Sequence, residues 1–197
     1  MSLPYTVKKN NYFKNKKNST IYTPCAVSEY LYKVLHSHIR PKVILDPSIG
    51  RGSLIKPWQD RKCKIIGVDI DKHSKKYCDR FIHSKFEDVK TWSFKTPDLV
   101  ICNPPFNGAK GKKLYSEVFL RKIIELFDNK VPIALFVPMG FRLNQTLRSS
   151  RWNWLKETIE ISSIISLPCD CFVKVKFHTE ILIFNVPELK PHYLLCA

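Results

Sequence analysis

Four short stretches carry unbroken runs of apolar residues: Val43-Ile44-Leu45, Ile65-Ile66-Gly67-Val68, Leu99-Val100-Ile101 and Ile133-Ala134-Leu135-Phe136-Val137. Runs this short that do not alternate with polar residues predict strands buried on both faces. Helical spacing comes between and before them. Val27, Tyr30, Leu31 and Val34 follow Thr23-Pro24 at i, i+3, i+4 and i+7, so a helix starts there. Helices are also predicted over Lys72–Phe81, over Lys113–Phe127, with apolar Val118, Phe119, Ile123, Leu126 and Phe127, and over Thr146–Glu160. Strands alternating with helices define an α/β chain with a mostly parallel sheet and helices on both faces. Two further runs, Ile161–Leu167 and Ile181–Phe184, are joined by residues without helical period and read as an antiparallel edge pair.

With 197 residues, against a prior of about 150 per domain, the pattern fits one domain over residues 21–197 preceded by a basic arm, residues 1–20. The arm carries Lys8, Lys9, Lys14, Lys16 and Lys17 and no acid; it is either a solvated terminus or a strap for a phosphate backbone. Charge narrows the partners: 33 Lys and Arg against 17 Asp and Glu leave a net +16, typical of proteins that meet phosphates. Nucleic acid is the expected partner. No apolar run resembles a signal peptide or spans a bilayer, so a soluble, cytoplasmic protein without membrane contact is expected. The seven cysteines are scattered, mostly in apolar segments, and are expected as buried reduced thiols. Cys169-Asp170-Cys171 has the wrong spacing for a metal site and no second ligand pair, so no metal is expected.

The first strand runs into Asp46-Pro47-Ser48-Ile49-Gly50-Arg51-Gly52-Ser53-Leu54, which holds two of the chain's six glycines. Ligands of open parallel sheets bind beyond the carboxyl ends of strands, where glycine lets the backbone come close. The second strand ends at Asp69, and an acid there accepts hydrogen bonds from ribose hydroxyls. Ile55 breaks the G-x-G-x-x-G pyrophosphate fingerprint and no G-x-x-x-x-G-K-S/T loop is present, which favours a nucleoside cofactor without pyrophosphate, such as S-adenosylmethionine. A tight strand-to-helix turn with an acidic cap at Asp69 or Asp71 would use the same residues.

The third run ends in Asn103-Pro104-Pro105-Phe106. Two prolines stiffen a loop that can hold the Asn103 amide oxygen and the Pro104 carbonyl as a fixed pair of acceptors. Such a pair suits an amino group conjugated to an aromatic or amide system, and Phe106 offers a planar target a stacking face.

These residues resemble class I S-adenosylmethionine-dependent methyltransferases acting on amino nitrogens. Asp46–Ser53 is similar to their cofactor loop and Asn103–Phe106 to their catalytic loop. Tyr22-Thr23-Pro24-Cys25-Ala26-Val27 resembles the segment before the cofactor loop in DNA adenine N6-methyltransferases of the gamma motif order. Ile164–Pro168, Phe172 and Thr179–Phe184 resemble the end of the catalytic domain in type I restriction modification subunits.

The resemblance implies a Rossmann-like methyltransferase fold, S-adenosylmethionine as cofactor and adenine in DNA as substrate. Thr23 would meet the methionine carboxylate, Asp46, Gly50 and Gly52 the methionyl part, and Asp69 the ribose. Ile70 would pack on the cofactor adenine, Asp88 would accept from its amino group, and Phe172 would pair with Phe106 around the target base. Ile49, Arg51 and Ser53 depart from the family's small residues, and Arg51 is accommodated if it points away from the cofactor. Lys110, Lys112 and Lys113, then Arg142, Arg148 and Arg151, follow strands on the same edge as a phosphate track or a solvated face. No target-recognition domain is expected, so DNA sequence would be read by a separate specificity subunit. The four-residue catalytic motif also occurs in ribosomal RNA adenine or guanine methyltransferases and in glutamine methyltransferases. A non-catalytic nucleic-acid-binding relative is the remaining alternative.

Overall fold

The computed structural model describes residues 21–106, 114–143, 145–173 and 176–196. The basic arm and the lysines at 110, 112 and 113 lie outside the described residues.

The strands are β1 (Val43–Asp46), β2 (Lys64–Asp69), β3 (Arg80–His83), β4 (Leu99–Cys102), β5 (Ile133–Pro138), β6 (Ile161–Ser166), β7 (Thr179–Phe184) and β8 (His192–Leu194). They form one sheet in the order β3-β2-β1-β4-β5-β7-β6-β8. Only β7 runs against its neighbours, pairing antiparallel with both β5 and β6. The expected antiparallel pair is therefore present, with β8 parallel to β6 outside it.

The unbroken apolar runs follow from two covered faces. Ile44, Ile65, Ile101 and Ile183 point to the side of helix α1 (Cys25–His36) and the one-turn α2 (Lys56–Gln59), against Leu31, Leu35 and Trp58. Val43, Leu45, Val100 and Leu182 point to the side of α3 (Tyr115–Phe127) and α4 (Ser150–Thr158), against Leu120, Ile123 and Leu155. Each fully buried aliphatic side chain contributes about 1.5–3 kcal/mol over leaving it in water.

Three expectations about local structure change. The predicted helix over 72–81 is a 3-10 turn, Lys72–Tyr77, capped by the Asp71 carboxylate on the His73 amide, with Ser74 its single buried residue. The chain leaves that turn early because Asp79 grips Ile65 twice, amide to carbonyl at 2.9 Å and carboxylate to amide at 2.7 Å, which launches β3. The helix expected from Thr146 starts at Ser150, since the Ser149 hydroxyl is spent accepting from the Thr146 amide in a closed turn. Of the cysteines, Cys102 is buried while Cys25 and Cys196 are exposed, and all seven are unpaired thiols. Among the described residues no helix is long and apolar enough to cross a membrane, and no group of His, Cys, Asp and Glu is arranged to hold a metal ion.

Candidate active site

The chain passes from β1 to β2 on one side and resumes at β4 on the other, so a crevice opens beyond their carboxyl ends. A cavity of about 640 Å³ fills it, lined by Thr23, Asp46, Gly50, Asp69, Ile70 and the whole Asn103–Phe106 loop.

On the β1 side the turn needs its glycines. Gly50 and Gly52 have φ of +50° and +69°, conformations that strain other L residues. A Cβ on Gly52 would come within 2.9 Å of the Tyr77 Cβ; Gly52 thus packs away from the cavity, and Gly50 lines it. The Asp69 carboxylate ties this turn to β2. Its Oδ2 accepts from the Gly50 amide at 2.7 Å and its Oδ1 from the Asp71 amide at 2.8 Å. Each oxygen keeps a lone pair for a ligand, and the carboxylate plane is fixed.

Asp46 is 1% exposed and accepts one hydrogen bond, from the Ser48 amide at 2.9 Å. Burial pushes its carboxyl up to about 7, the Ser48 amide opposing this and the charge of Asp69 adding to it.

On the β4 side, two hydrogen bonds position Asn103. Its Nδ2 donates to the Thr23 hydroxyl at 3.1 Å, and its carbonyl accepts from the Ser48 hydroxyl at 3.3 Å. Its Oδ1 is buried and has no hydrogen-bond partner. An orphaned acceptor carries a cost of about 1–3 kcal/mol, and the residue that holds it lines the cavity. Phe106 forms the far wall, backed by Phe177 at 4.6 Å between ring centroids and by Phe172 edge-on at 6.2 Å.

Some expected site residues sit elsewhere. Phe172 is 1% exposed and stands behind Phe106, outside the cavity lining. In the 3-10 turn Phe86–Asp88, Phe86 is anchored on Phe119, Glu87 lines the cavity, and Asp88 is exposed to solvent. Arg142 makes a two-pronged ion pair with Glu180 on β7, at 2.8 and 2.9 Å. Arg151 holds the 3% exposed Glu117 of α3 at 2.7 Å, which Arg121 also bonds at 3.0 Å. Burial pushes the Glu117 carboxyl up, but the bonds and charges of the two arginines outweigh it and hold it below its ordinary value. Both Arg142 and Arg151 therefore neutralise buried acids. Arg148 is exposed. Tyr22, Glu87 and Tyr115 also line the cavity; Tyr22 opens the segment Tyr22–Val27 on which the resemblance rests, whereas Glu87 and Tyr115 carried no signal of their own in the sequence.

No family model matches the chain, and no curated protein matches its sequence. Solved structures do match its fold. The methyltransferase subunit of a type I restriction-modification system from Streptococcus thermophilus superposes with a TM-score of 0.66 at 16% identity, over 88% of this chain and 47% of that one. The chain has the class I methyltransferase fold. A Listeria monocytogenes protein provisionally described as a class I S-adenosylmethionine-dependent methyltransferase gives a TM-score of 0.63 at 18% identity, over 87% of this chain and 64% of the other. A Pyrococcus horikoshii protein provisionally described as an RNA methyltransferase gives 0.57 at 17% identity, over 88% and 91%. This chain thus spans from about half to just under two thirds of the first two.

Proposed function

We propose that the chain is an S-adenosylmethionine-dependent methyltransferase that modifies the exocyclic amine of adenine in DNA and works with a separate specificity subunit. The observation that carries this reading is the orphaned, buried Oδ1 of Asn103, a residue of the proline-stiffened loop that lines a cavity together with the fixed Asp69 carboxylate.

The donor set fits the cofactor. Asp69 has lone pairs for two ribose hydroxyls, Ile70 is 68% exposed at the cavity as an apolar shelf for adenine, and Glu87 replaces Asp88 as acceptor for its amino group. Buried Asp46 gains from a cationic neighbour, which the amino-acid end of the cofactor brings. Thr23 and Gly50 close that end.

When bound, S-adenosylmethionine supplies an electrophilic methyl group on a sulfonium. Asn103 Oδ1 and the Pro104 carbonyl accept the two N–H bonds of the target amine, which draws its lone pair out of conjugation. Proton removal needs no base before attack, because the methylated nitrogen is strongly acidic and releases its proton afterwards. The loop's contribution is position and charge placement. Phe106 stacks on the target ring, while Phe172 and Phe177 stiffen it from behind.

DNA is favoured over other amines by the net charge of +16 and by the shared fold of type I methyltransferase subunits. The test incubates the full chain with methyl-labelled cofactor and separately with DNA, total RNA and protein, then digests the acceptors to nucleosides and amino acids. N6-methyladenine from DNA is expected. Label confined to RNA or to glutamine would replace the substrate, and an unlabelled set with bound cofactor would leave a non-catalytic relative.

A further inference from the structure

Arg51 stands inside the glycine turn, where a small residue would leave the cavity open. It does not point away. Its side chain lines the cavity and is exposed, and its guanidinium lies 4.7 Å from the centroid of the Tyr22 ring. Tyr22 in turn packs over the turn itself, its Cε1 3.4 Å from where a Gly50 Cβ would be. The arginine makes no ion pair among the described residues, so its charge faces the cavity uncompensated.

The other charges at this end of the cavity suggest what would compensate it. Asp46, five residues earlier at the end of β1, is a buried acid that favours a cationic neighbour. One acid at the strand end and one base in the turn that follows it, both lining the cavity, complement an α-amino acid zwitterion, ammonium to Asp46 and carboxylate to Arg51. His73, Lys76 and Lys85 also line the cavity, but they sit in the segments flanking β3, on the side of Asp69 and Glu87. Lys76 lies over the Tyr77 ring at 5.0 Å.

Resting on the methyltransferase reading, we infer that Arg51, held by the face of Tyr22, is the receptor for the carboxylate of the cofactor's amino-acid end. Tyr22 is a positioning residue: its ring attracts the guanidinium through the cation–π interaction and limits its rotamers before the ligand arrives.

The test is calorimetric titration of the full chain with S-adenosylhomocysteine and with its decarboxylated analogue, which keeps the nucleoside, thioether and amine. The native protein prefers the carboxylated ligand by about tenfold or more, the worth of a charge-assisted hydrogen bond. Arg51→Gln removes most of that preference while leaving affinity for the decarboxylated analogue within about twofold, below the worth of such a bond. Tyr22→Leu lowers the preference in part, and Tyr22→Phe, which keeps the ring face, retains it. Equal loss for both ligands in Arg51→Gln, no loss in either, or transfer of the whole effect to Lys76→Gln would overturn the assignment. Binding of neither ligand by the native chain would instead remove the methyltransferase reading, and the inference with it.

Discussion

Asn103 and Thr23, 80 residues apart in sequence, are joined by a hydrogen bond of 3.1 Å from the asparagine amide to the threonine hydroxyl. Because the Nδ2 donates to the Thr23 hydroxyl, the Oδ1 is the amide atom left over. Asn103→Ala should leave cofactor affinity nearly intact and lower methyl transfer by at least about 100-fold, comparable to removing one oxyanion-hole donor. Thr23→Val should keep the Oδ1 but free the amide to rotate, costing about 1 kcal/mol of stability and a smaller share of turnover. Single-turnover transfer alongside calorimetry separates the two effects. Full turnover in Asn103→Ala would remove the loop from the chemistry.

Asp69 does two jobs, one structural and one toward the ligand. Asp69→Ala should weaken S-adenosylhomocysteine by about 1.5–3 kcal/mol, the range for a charge-assisted bidentate contact. Asp69→Asn keeps one acceptor for the Gly50 or Asp71 amide and should fall between. Calorimetry that finds native affinity in Asp69→Ala would take the residue out of the site.

The elements that were legible in the sequence are those with two-faced burial. β1, β2, β4 and β5 announce themselves because each is built on an unbroken apolar run, whereas β3 and β8 are short edge strands of mixed residues, Arg80-Phe81-Ile82-His83 and His192-Tyr193-Leu194, with nothing periodic to read. Asp46, Asp69 and Asn103 were legible because each directly terminates a buried run. Glu87 and Asp88 were not separable, since a 3-10 turn decides which of two adjacent acids faces inward. The ion pairs of Arg142 and Arg151 were not legible because their partners, Glu180 and Glu117, lie 38 and 34 residues away, a distance no local charge pattern reveals.

The raised Asp46 carboxyl gives a pH signature. Its value in the folded chain, about 7, exceeds the ordinary 3.8, so the folded state holds the proton more tightly than the unfolded one. Between those values this group makes stability fall as pH rises, and its favourable contribution is complete only below the unfolded value. Asp46→Asn should flatten that part of the stability curve in denaturant titrations at a series of pH values. A cationic ligand group beside Asp46 pulls the equilibrium toward the ionised form, so cofactor affinity should rise with pH through about 7. Binding should release protons there, read as a dependence of calorimetric heat on buffer. Heat that is independent of buffer near neutrality would contradict contact between Asp46 and a cation.

Arg151 should be a stability residue. Arg151→Ala leaves the buried Glu117 with Arg121 alone, and breaking a buried pair by removing one partner costs about 3–5 kcal/mol. Glu117→Gln combined with Arg151→Ala should recover part of that loss in denaturant unfolding. The salt dependence of DNA binding by the folded Arg151→Ala variant should match the native chain.

Nucleic-acid binding should divide the basic residues differently. Each phosphate neutralised on B-DNA adds about −0.9 to the slope of log affinity against log salt. Arg148 is exposed and makes no ion pair among the described residues, so Arg148→Ala should flatten the slope by about that amount if it meets a phosphate. Arg142, whose guanidinium is spent on Glu180, should leave the slope unchanged when replaced. Joint replacement of Lys110, Lys112 and Lys113 should remove several increments, as should deletion of residues 1–20 with their five lysines, if these segments track the backbone. Phosphate contacts position a protein without reading bases, so the isolated chain should bind DNA of any sequence with similar affinity. A preference of about 1000-fold for one sequence at physiological salt would mean that the chain itself reads base edges. The separate specificity subunit would then be unnecessary, and the exposed Arg148 and residues 107–113 would be the first places to look for the contacts.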